Sequence, residues 1–218
     1  NLMKGFALFY RVRAFDDQAA PATPLYSGYS PVTSGTPVAP PLLDRVWRLR
    51  APMATPRSKF ASALINGKIY VAGGAAMAGD IGTVEEYDPE TNKWRNRSNL
   101  GFTARSGPAG AAFGGKFYVI GGQAGVAVSN KVEVFDPATN TWSAGPAMPG
   151  GRERRSLGAA TIGSSIFVVC GANSLGSDTR FLDLFNPGSG GWTTGPDAPT
   201  ARHGHVTSYA NGILWAIA

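Results

Sequence analysis

At 218 residues, with 43% hydrophobic and 16% charged residues, the chain is long enough to bury a core, and 29 glycines with 16 prolines favour short strands joined by turns over long helices. No apolar run approaches the roughly 18 residues that a membrane helix needs, so no membrane insertion is expected. The net charge of +6 biases the surface toward anionic partners, but with no basic run and no nucleic-acid motif beside it, nucleic acid is not the expected one.

In chain order, residues 1–38 come first. "GFALFYRVRAFDD" has alternating character and "YSGYSPVTSGTP" follows a loop holding Pro21 and Pro24. This pair resembles the last two strands of a fibronectin type III module, with Leu8 where such modules often place a corner tyrosine. The resemblance implies further strands upstream of Asn1. Pro37, Pro40 and Pro41 stiffen the connection that follows, a linker over 39–45.

From residue 46 onward a repeat takes over. Gly74, Gly122 and Gly171 are 48 and 49 residues apart; Tyr87, Phe135 and Phe185, like Trp94, Trp142 and Trp192, are 48 and 50 apart. Each period reads as four short strands. The first is small and apolar ("KFASALI", "GPAGAAF", "SLGAATI") and the second is bulkier and ends in glycine ("GKIYVAGG", "GKFYVIGG", "SSIFVVCG"). The third stops at a turn of Asp-Pro or Asn-Pro chemistry ("TVEEYDPETN", "KVEVFDPATN", "RFLDLFNPGSG"), and the fourth carries the tryptophan. Small residues early in the period and aromatics late in it suit sheets arranged radially, which crowd toward an axis. The glycine pairs are expected where the sheets crowd and the chain turns outward.

The order arginine, small apolar strand, aromatic-Val-x-Gly-Gly, aromatic-Asp-Pro-x-Thr-Asn-x-Trp resembles the kelch repeat. The third repeat departs from it, with Cys170 for the first glycine of the pair and Asn186 for the aspartate. The resemblance implies an all-β, partial kelch β-propeller over 46–218: three complete four-stranded blades and two partial ones. Trp47 marks the outer strand of a preceding blade, and "RHGHVTSYANGILWAIA" supplies two strands of a following one. Kelch rings close with about six or seven blades. The chain is therefore expected to be a piece of a longer protein, and its open blade edges offer a route to self-association.

Candidate chemistry is sparse. His203 and His205 share a face of a strand but have no third ligand nearby, so no metal is expected. The single Cys170 reads as a buried small hydrophobe, and Glu85, Glu86 and Glu133 as solvated strand residues. No catalytic set and no cofactor is expected. The best signal is Arg57, Arg105, Arg155 and Arg202, 48, 50 and 47 residues apart, one in the loop leading into each blade. Two readings stand. The guanidiniums form an arc that binds carboxylate or phosphate groups, as the similarity of "TARSGPAG" to the acidic-peptide loops of kelch ubiquitin-ligase adaptors implies. Alternatively, each caps backbone carbonyls of a neighbouring blade. The expected function is non-catalytic recognition of a protein, acidic peptide or glycan in an extracellular or cell-envelope setting. The alternative is part of a kelch enzyme, either a copper oxidase of the galactose oxidase type or a sugar epimerase.

Overall fold

A computed structural model describes residues 49–217, and within them every element is a strand. The fibronectin-like strands over 1–38, the linker over 39–45 and Trp47 lie outside the described residues.

Three four-stranded antiparallel sheets follow one another. Blade one comprises β1 (Ala61–Ile65), β2 (Lys68–Ala72), β5 (Val84–Asp88) and β6 (Lys93–Arg97), with a small hairpin of β3 (Ala75–Ala76) and β4 (Gly79–Asp80) between its second and third strands. Blade two comprises β7 (Ala109–Phe113), β8 (Lys116–Ile120), β11 (Val132–Asp136) and β12 (Thr141–Gly145), with the hairpin β9 (Gln123–Ala124) and β10 (Ala127–Val128) in the same place. Blade three comprises β13 (Gly158–Ile162), β14 (Ser165–Ala172), β15 (Asp178–Asn186) and β16 (Gly191–Thr194). A final hairpin joins β17 (Val206–Ala210) to β18 (Ile213–Ile217). This is the partial propeller expected from the repeat.

The two glycine pairs of "GGKFYVIGG" answer to different demands. Gly114 and Gly115, both at positive φ (57° and 76°), form the two-residue turn between β7 and β8, where the right-handed twist of the strands needs a left-handed turn. Gly121, also at positive φ, lies against the next blade: a Cβ there would sit 2.6 Å from the Arg154 carbonyl oxygen. That is crowding, as the sequence implied. Cys170 holds the equivalent place in blade three at φ 52°.

The first strands run beside one another, β1 by β7, β7 by β13 and β13 by β17. Small residues there are a steric requirement, since a Cβ on Gly110 would meet the Ser62 carbonyl oxygen at 2.5 Å. Bulk lies farther along each blade, and the cores form between sheets. Tyr70 of blade one meets Phe135 of blade two with ring centroids 5.9 Å apart, and Tyr118 meets Phe185 of blade three at 6.0 Å. Each fully buried aromatic or branched side chain contributes about 1.5–3 kcal/mol.

The turn and the tryptophan act together as a clasp. Asp88, Asp136 and Asn186 each accept two backbone N–H bonds inside the turn, so Asn186 keeps the turn while forgoing the lysine pair that Asp88 and Asp136 make. The turn N–H bonds and then Lys68 hold the Asp88 carboxyl below its usual pKa, and Lys116 and then the turn N–H bonds do the same for Asp136. Trp94, Trp142 and Trp192 are half-buried, and their indole N–H groups donate to the Ala51, Ser98 and Pro146 carbonyls of the segment before each blade.

Candidate functional site

The loops leading into the blades and the hairpins between second and third strands emerge at the same end. Short bridges pair Ser58 with Ala75, Ser106 with Gln123 and Arg155 with Ala172, tying each lead-in loop to its own hairpin. Two belts of backbone hydrogen bonds then join one blade to the next. Gly74, Gly122 and Gly171 donate to the carbonyls of Arg105, Arg154 and Arg202. Deeper in, Gly107 donates to Lys59, Ser156 to Gly107 and Gly204 to Ser156, at 2.7–2.8 Å. All four residues of this inner belt have positive φ, which turns each carbonyl toward the following blade.

The belts correct the arginine periodicity. The equivalent residues are Arg57, Arg105, Arg154 and Arg202; Arg155 occupies the next position, shared with Ser58, Ser106 and His203. The signal was present in the sequence, because Arg57, Arg105 and Arg154 each stand 17 residues before the second glycine of their repeat. An adjacent pair of arginines hid it.

The guanidiniums turn inward and cap carbonyls of their own blade. Arg57 donates to the Gly73 and Thr83 carbonyls and pairs with Glu85 at 2.6 Å, both side chains wholly covered. Arg105, also fully buried, donates to the Val119, Gly121 and Thr103 carbonyls and pairs with Glu133. Arg154 repeats this on Val168, Cys170 and Arg152, with Asp183 as its carboxylate at 2.7 Å. Arg202 reaches the Ala216 carbonyl and the Thr200 hydroxyl. Burial lowers the pKa of Arg105 and Arg154, and Glu133 and Asp183 oppose that shift.

The glutamates are corrected as well. Glu85, Glu86 and Glu133 are all buried, Glu85 and Glu133 as the counterions above. Glu86 faces the other side of β5, with Lys68 and Arg97 at 3.2 Å and Arg95 at 3.5 Å. Burial, followed by a bond to Glu86, pushes the Tyr70 hydroxyl up to about 12. A carboxylate one residue from another on a strand looks solvated in sequence; only the cations brought by β2 and β6 make its burial tolerable.

The surface of the loop end is thus made by other side chains. Arg155 is half-buried and donates to the Gln123 side chain, whose amide also donates to the Gly125 carbonyl at 2.6 Å. Lys131 reaches the Thr103 hydroxyl at 3.0 Å, Lys59 is exposed, and His203 pairs with Asp178 at 2.6 Å. His205 is buried against Gly158 while His203 is exposed, and burial lowers the pKa of His205. Cys170 is buried and its thiol is pushed up by burial. Among the described residues, no three His, Cys, Asp or Glu side chains gather as a metal site.

Known proteins with similar sequences or folds agree with this architecture. The chain is 59% identical over 46 residues to an F-box/kelch-repeat protein of Arabidopsis thaliana, 21% of this chain and 11% of that protein. It is 48% identical over 52 residues to human Kelch-like protein 30, 24% of this chain and 9% of the relative. It is 40% identical over 68 residues to Kelch-like protein 40 of Xenopus tropicalis, 28% of this chain and 11% of the relative. The chain therefore spans about a tenth of the length of these curated relatives. The solved structure of YjhT superposes with a TM-score of 0.69 at 19% identity, covering 79% of this chain and 62% of that one, a likeness of fold. The KLHDC2/KLHL20/DRC7 Kelch-repeats domain matches residues 45–171, and with its repeats, its blades and its arginine anchors the chain belongs to the kelch-repeat family.

Proposed function

We propose that this chain is a non-catalytic recognition module that seats an acidic protein segment on its loop end. The observation that carries the reading is the rigid common platform: adjacent lead-in loops and hairpins are held at one end by two belts of inter-blade hydrogen bonds. Sites on such a platform lose little entropy on binding. Of the four arginines nominated from the sequence, Arg57, Arg105 and Arg202 cap carbonyls and fix the loops, while Arg155, half-buried, is the one at the surface. Arg155 is the principal anion contact, supported by Lys59 and Lys131. A fibronectin-like spacer over 1–38 and an extracellular or cell-envelope setting complete the proposal.

The test is Arg155→Glu, assayed for binding of an acidic synthetic peptide beside a thermal melt. The reading expects binding to weaken about tenfold or more, through lost hydrogen bonding and added repulsion, with the melt nearly unchanged. Unchanged peptide binding sinks it.

A further inference from the structure

The final hairpin differs from the three blades along one edge. In each blade the second strand is bonded on both sides, by the first and third strands, whereas among the described residues β18 is bonded by β17 alone. What covers this edge in the blades follows one rule. The third strand sets Glu85, Glu133 or Asp183 opposite Val71, Val119 or Val168, and that carboxylate pairs with the anchor arginine. Two residues on, and so on the same side of the strand, it buries Tyr87, Phe135 or Phe185.

The hairpin keeps the receiving half of this arrangement. Arg202 donates to the Ala216 carbonyl as Arg105 does to that of Val119 and Arg154 to that of Val168, so Ala216 is the position that a carboxylate would face. Arg202 forms no ion pair among the described residues, and Asp197, exposed beside it, is not bonded to it. Room for a ring is present too. Between blades two and three, Phe185 packs with Ile120, Val132 and Met148. At the equivalent place before the hairpin, Val169, Leu182 and Ala198 line a cavity of about 340 Å³ together with Leu214, Ala216 and Arg202. Ala198 stands where Met148 does, its N–H donating to Arg180 as that of Met148 donates to Asn130. A cavity of roughly 150 Å³ is enough to take a benzene ring.

We infer that β18 takes an added strand from a partner protein, an extended segment that carries a carboxylate and, two residues later, an aromatic ring. The carboxylate pairs with Arg202, the ring enters the cavity, and the backbone bonds along β18. A second copy of the chain does not supply these groups. Residues 198–218 hold no Asp or Glu, so two β18 edges brought together leave both arginines unbalanced, and Glu85, Glu133 and Asp183 already lie inside complete sheets. The edge is a site separate from the loop-end surface around Arg155 and stands or falls without it.

The probe is a fluorescent peptide of the β11 sequence, KVEVFDPATN, beside versions with Gln for its Glu and Ala for its Phe. Each is titrated by anisotropy against the wild-type chain, Ala198→Met and Arg202→Gln, with melts of the variants and size-exclusion chromatography of the chain alone and with peptide. The parent peptide is expected to bind about tenfold more tightly than either altered one. Ala198→Met, which fills the cavity as Met148 does, should weaken the parent about tenfold, and Arg202→Gln should bind the Glu and Gln versions alike. If Arg202→Gln unfolds the hairpin, the three peptides on wild type and Ala198→Met decide alone. Parity of the parent with either altered peptide, indifference to Ala198→Met, or no binding overturns the inference. A dimer of the chain that the parent peptide does not dissociate assigns the edge to a second copy and overturns it as well.

Discussion

In blade two, Arg105 faces a single carboxylate, Glu133, whose oxygens are also held by the Thr103 backbone N–H and hydroxyl. In blade three, Arg154 faces Asp183, one methylene shorter, and a second guanidinium from Arg152 takes the place of Thr103. The aromatic neighbour moves as well. Phe102 in the lead-in loop lies 4.9 Å from the Arg105 guanidinium, whereas Phe181 on β15 lies 4.0 Å from that of Arg152. Common to both blades are the carbonyls capped at the end of the second strand: Val119 and Gly121 in one, Val168 and Cys170 in the other. The Gly121 and Cys170 carbonyls are capped as Arg57 caps that of Gly73, so this bond recurs in all three blades. How the arginine's charge is balanced is free to vary.

The largest effect should come from removing the balancing charge in blade three. Asp183→Asn leaves two guanidiniums facing each other under cover and is expected to cost about 3–5 kcal/mol. Glu133→Gln leaves one guanidinium with three carbonyl acceptors and should cost less, about 1–3 kcal/mol. Urea denaturation of the two variants ranks them, and equal losses would show that Arg152 is neutralised by another route.

The tryptophans extend the contrast. Trp142 packs on Phe102, Phe135 and Phe117, with ring centroids 4.7, 5.2 and 6.4 Å apart, while among the described residues Trp192 has Phe185 alone at 4.9 Å. Trp142→Ala is expected to cost about 3 kcal/mol and Trp192→Ala about 1–2 kcal/mol less, given two further aromatic pairs. Calorimetric melts of both variants check the order; a larger loss at Trp192 breaks it.

A smaller effect distinguishes blade three through pH. His205, buried against Gly158 with Arg202 and His203 adding to the effect of burial, has a folded pKa below the ordinary 6.5. The unfolded chain then binds a proton first as pH falls through 6.5, so stability declines below that pH and levels off once the folded imidazole also protonates. His205→Gln should flatten this part of the stability profile measured by melts from neutral to mildly acidic pH. An unchanged slope would place the pH dependence elsewhere.

The smallest change should be Cys170→Gly. It relieves a left-handed backbone worth about 1–2 kcal/mol and forfeits a buried thiol of similar value, for a net change within about 1 kcal/mol. Cys170→Val, β-branched at the same φ, should be clearly worse. A melt that favours valine would mean that volume, not φ, governs the site.

The sequence alone determined what is local and repeated. Turn chemistry at Asp88-Pro89 and Asp136-Pro137, small residues on the first strands and the evenly spaced tryptophans are each fixed within a few residues, so their recurrence was enough to place three blades and the final hairpin. Tertiary structure decided which charges go inside. Glu85 and Glu86 are neighbours in sequence with opposite surroundings, one closed over by Arg57 and the other by Lys68 and two arginines from β6. The 17-residue spacing to the second glycine already marked Arg154, but that its guanidinium goes inside rested on Asp183, 29 residues away along the chain. A charge is buried only when partners from distant strands arrive with it, and that convergence is a property of the packed blades.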